Sequence, residues 1–68
     1  MADREIVGVV WHTLSHQIDI IYGCGTREHV QGPHRLAAAL AADAGLELMP
    51  ARSGVVSWVR PQPDPEGR

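Results

Sequence analysis

The chain reads as a small α+β domain, an antiparallel sheet of three to four strands with one helix across one face, in the order β-β-α-β-β. Three observations predict it. Glu5–Tyr22 carries two runs of β-branched and aromatic residues separated by a polar turn. His34–Ala44 is a run of strong helix formers bounded by Pro33 and Gly45. Val55–Arg60 is a further β-rich run, set off from the helix by the turn signal Arg52-Ser53-Gly54.

The first pair of strands organises the rest. Ile6, Val7, Val9, Val10 and Trp11 are followed by Leu14-Ser15-His16-Gln17 as a turn, then by Ile18, Ile20, Ile21 and Tyr22. Side chains alternate across a strand, so Ile6, Gly8, Val10 and His12 share one face while Val7, Val9 and Trp11 share the other. Both faces of this strand are apolar, which places it at the centre of the sheet or beneath a second protein surface. The second strand alternates more cleanly, with Ile18, Ile20 and Tyr22 set against Gln17, Asp19 and Ile21.

Gly23–Gly32 reads as a glycine-punctuated connection, in which Thr26 could cap a single helical turn ending before Pro33. Pro33 is suited to the first position of the helix, where its missing N–H costs nothing, and Gly45 to its left-handed end. Leu36, Leu40 and Ala44, with Ala37 and Ala41, form one stripe at helical spacing. A stripe so rich in alanine lets a helix lie close on a sheet, and it is read as structural packing. Leu46–Met49 alternates as a short strand that Pro50 confines to an edge. Residues 1–60 are expected to form one domain, and the proline-rich residues 61–68 a disordered tail.

Length and composition narrow the function. A chain of 68 residues buries a marginal core, supported by self-association or metal if packing alone is insufficient. The single cysteine, Cys24, excludes an internal disulfide. A formal net charge of -2 argues against non-specific binding to nucleic acid or anionic membranes. All 6 basic residues are Arg, and Lys, Asn and Phe are absent, a composition expected of a GC-rich bacterial coding sequence. No stretch approaches the roughly 18 apolar residues of a membrane span, and no secretory signal is evident, so a cytoplasmic protein is expected.

No motif is specific enough to name a reaction, and the protein is expected not to be an enzyme. Cys24, His29 and His34, with His12 or His16, are potential zinc ligands, although no paired-ligand spacing anchors them. Scattered histidines are the plainer account. Cys24 between two glycines could be a nucleophile activated by a nearby His29 or His34, or simply a small residue in a tight bend. Gly23, Gly25 and Gly32 with Arg27 and Arg35 could bind an anion, but no phosphate-loop pattern is present. The helix and the segment Ser53–Arg60 resemble a helix-turn-helix only faintly, since the gap between them is long and contains Pro50.

The favoured expectation is a protein-binding or regulatory module. One helix cannot cover both sides of the sheet. If it covers the side of Ile6, Val10, Ile18 and Ile20, then Val7, Val9, Trp11, Ile21, Val56 and Trp58 form an uncovered apolar surface. A second copy of the chain, or a larger protein, would occupy it. Pairing through an edge strand is a second route.

Overall fold

The computed structural model describes residues 5–61. It contains a five-stranded antiparallel sheet and one helix, and the α+β class is as the sequence predicts. The strands are β1 (Ile6–His12), β2 (Gln17–Tyr22), β3 (Arg27–Gln31), β4 (Glu47–Leu48) and β5 (Val55–Val59), and helix α1 spans His34–Asp43. Their order across the sheet is β3-β2-β1-β5-β4. The expected tail beyond Pro61 and the lead-in before Glu5 lie outside the described residues.

β1 is central, as its two apolar faces require. It pairs with β2 through a four-residue connection, and with β5 on its other side. The register shifts between Ile6 and Gly8, so that Val7 is an extra residue with no partner on β2. That bulge overrides strict alternation. It puts Ile6 on the same side as Val9 and Trp11, opposite Tyr22, Ile20 and Ile18 respectively.

The strand order differs from the expected β-β-α-β-β by one element. Arg27–Gln31, read from sequence as connection, forms β3 and pairs with β2 along its whole length, from Ile21↔Arg27 to Gln17↔Gln31. The hairpin turn between them closes with the Tyr22 N–H donating to the Thr26 carbonyl at 2.9 Å, and Gly25 sits at φ 95°. β4 is a two-residue edge strand, short as Pro50 requires.

Helix α1 lies across one face. Its capping residue is Pro33, so the helix begins at His34, one residue later than the sequence suggested, and Leu36 N–H donates to the Pro33 carbonyl. The C-terminus closes as a Schellman motif: Gly45 at φ 75° donates to Ala42, and Leu46 to Ala41. Ala37 and Ala41 are fully buried, and these small side chains bring the helix close to the sheet. The core beneath is Val9, Ile18, Ile20, Tyr22 and Trp58, with Ile6, Trp11, Leu40, Leu46 and Val56 packed at its margin.

This placement corrects the expected division of faces. Val9, Trp11, Val56 and Trp58 lie under the helix instead of on the uncovered side. The reason is register. Val9 pairs with Ile20 and Trp58, and Trp11 with Ile18 and Val56, so these residues share the face of the clean apolar stripe of β2. Periodicity grouped the residues of β1 but not which group faces the helix.

The indoles are held from several sides. The Trp11 Nε1–H donates to the Gly32 carbonyl at 3.0 Å. His34 meets Trp11 edge-on, with ring centroids 5.2 Å apart, and His16 stacks on it at 5.4 Å. His16 adopts a left-handed φ of 60°, which costs a non-glycine residue about 1 kcal/mol, and the stacked ring and its backbone bonds to His12 and Gly32 hold it there.

Candidate functional site: the helix-free sheet face

The face opposite the helix is built from alternate residues of all five strands, and their register arranges them in rows. One row runs Arg27, Ile21, Gly8, Val59 and Glu47 across the whole sheet. The next runs His29, Asp19, Val10 and Ser57, and Met49 extends it by donating its N–H to the Ser57 carbonyl. The third pairs Gln31 with Gln17 and His12 with Val55. Val7, the bulge residue, stands beside the first row, its Cγ1 3.5 Å from where a Cβ on Gly23 would lie.

The apolar members of this face are Val7, Val10, Ile21, Val55 and Val59, with exposed Met49 at its β4 edge. None of them packs against the core beneath the helix. Val59 is 37% exposed, and the other valines and Ile21 are half-buried only by their neighbours in the sheet. Gly8, at the centre of the first row, is buried, and a methyl group there would sit 3.4 Å from the Ile21 Cδ1, so the Ile21 side chain lies against the glycine.

One polar cluster interrupts the apolar surface. Asp19 accepts from the His12 Nε2–H at 2.8 Å on one oxygen. On the other it accepts from the His29 Nδ1–H at 2.7 Å and the Gln17 amide at 2.7 Å. Partial burial pushes the Asp19 carboxyl up, but the hydrogen bonds from Gln17, His12 and His29 and the charge of His12 outweigh it, holding the group at about 2 against an ordinary 3.8. The cluster is internally satisfied, so it adds shape and polarity to the face without leaving a bare charge.

Of the six residues expected on a partner surface, only Val7 and Ile21 lie on this face. Val10, Val55 and Val59 belong to it and were not singled out from sequence, nor were Arg27 and Glu47 at its two ends. Their signal is the register across strands, which a single sequence does not carry.

The four proposed zinc ligands separate. His12 and His29 come together, but each turns a ring nitrogen onto Asp19 at hydrogen-bond distance, leaving no room for an ion between them. His34 is on the helix side, against both tryptophans, and Cys24 is exposed in the β2–β3 turn with its Sγ 3.2 Å from the Thr26 Oγ1. Among the described residues, no group of three or more His, Cys, Asp or Glu side chains is placed to hold a metal ion. Of the two imidazoles suggested as partners of a Cys24 nucleophile, His29 is bound to Asp19 and His34 packs against the tryptophans. The anion-loop glycines are also divided, Gly23 and Gly25 at the hairpin turn and Gly32 before the helix. The helix-turn-helix expectation is corrected outright, because Val55–Val59 is a strand paired on both sides. No helix of the described residues is long and apolar enough to cross a membrane.

Compared with known proteins, the chain matches no family model, no curated protein and no solved structure.

Proposed function

We propose that this is a non-enzymatic protein-binding or regulatory module, and that the helix-free sheet face is its binding surface. The observation that carries this reading is the convergence of Val7, Val10, Ile21, Val55 and Val59 on a face with no cover from the chain's own helix. Small soluble domains seldom leave an apolar sheet face open, and such patches mark surfaces that another protein covers. An apolar sheet face with one internally bonded polar cluster suits another protein surface better than a small ligand, which needs a concave site. Burial there would also supplement a core of seven buried apolar side chains among the described residues.

Edge pairing is the weaker route. β3 exposes all five of its residues, but two-fold pairing about His29 would set Arg27 against Gln31 and Glu28 against Val30, with no complementary charge. β4 is too short to template another strand.

A photo-crosslinking side chain at Val10, produced in the source organism, tests the reading. A discrete crosslinked product is expected from Val10, lost when Ile21→Glu is added, and absent when the same group replaces exposed Ala39 on the outer helix surface. A folded Val10 variant that gives no product beyond the Ala39 background would remove the surface from consideration.

A further inference from the structure

We draw no further inference here: the strongest candidate, the apolar sheet face opposite the helix, belongs to the surface already described, and nothing in the structure shows what covers it, because Arg27, Glu47 and Arg52 fit more than one arrangement.

Discussion

Val9 and Val10 are adjacent, chemically identical and on the same central strand, yet they belong to different problems. Val9 is fully buried beneath the helix, between Ile20 and Trp58, and belongs to the core. Val10 points to the other side, between Asp19 and Ser57, outside the core that packs beneath the helix. The two faces of one sheet therefore differ in role: one secures the fold, and the other is the proposed binding surface. A burial pattern that looks redundant along β1 resolves once each apolar residue is assigned to its layer.

Substitutions that differ by one position should break that comparison most sharply. Val9→Asp places a carboxylate among apolar side chains with no partner and is expected to abolish the cooperative thermal transition. Val10→Asp should keep the transition and the far-ultraviolet circular dichroism of the wild type while losing association. On the covered side, Trp58→Ala should cost about 3–5 kcal/mol, measured by urea denaturation, because the indole is only 6% exposed and its loss leaves a cavity. Equal sensitivity at positions 9 and 10 would erase the distinction between the faces.

How much of this was legible in the sequence follows from the same contrast. The first hairpin, the helix with its Gly45 terminus and the last strand could be read locally, because β-branched runs, alanine-rich turns and glycine punctuation each act within a few residues. β3 could not. Arg27-Glu28-His29-Val30-Gln31 is exposed at every position, so neither face leaves an apolar period, and its strand state depends on β2 offering an edge. The faces were misassigned for a different reason. Alternation grouped Val9 with Trp11 correctly, but only pairing of Val9 with Ile20 shows that this group joins Ile18, Ile20 and Tyr22 beneath the helix. The bulge at Val7 then moved Ile6 across. The proposed binding face therefore centres on Val10, Val55 and Val59, and shares only Val7 and Ile21 with the surface expected from sequence.

The Asp19 cluster sharpens the comparison by intermediate effects, since it ties three strand positions of the open face together. Its carboxyl is lower in the folded chain than in the unfolded one, so its contribution is present above about pH 4 and is lost as pH falls through about 2. With the side chain 15% exposed, the contribution is on the order of 1–2 kcal/mol. Asp19→Asn should lower stability at pH 7 by that amount and flatten its fall between pH 4 and 2. Chemical denaturation at several pH values measures both. An unchanged acid slope in the variant would show that the two histidines and Gln17 do not act on the fold through this carboxylate.

The smallest effect is expected at Cys24, and it separates the binding-module reading from a metal or thiol chemistry. Cys24 is exposed in the hairpin turn between β2 and β3, and Thr26 supplies an oxygen 3.2 Å from the sulfur. Serine keeps a polar atom at that place and a similar volume, so Cys24→Ser should change the unfolding free energy by less than about 0.5 kcal/mol, the range for surface positions. Metal content of protein purified without a histidine tag should be unchanged by the substitution, and a chelator should leave its melting temperature where it was. A zinc-bearing wild type that loses both metal and stability on Cys24→Ser would require the thiol, His29 and His34 to converge in solution. That convergence would mean opening the β2–β3 hairpin and drawing His29 off Asp19, so it would disturb the very face on which the binding-module reading rests.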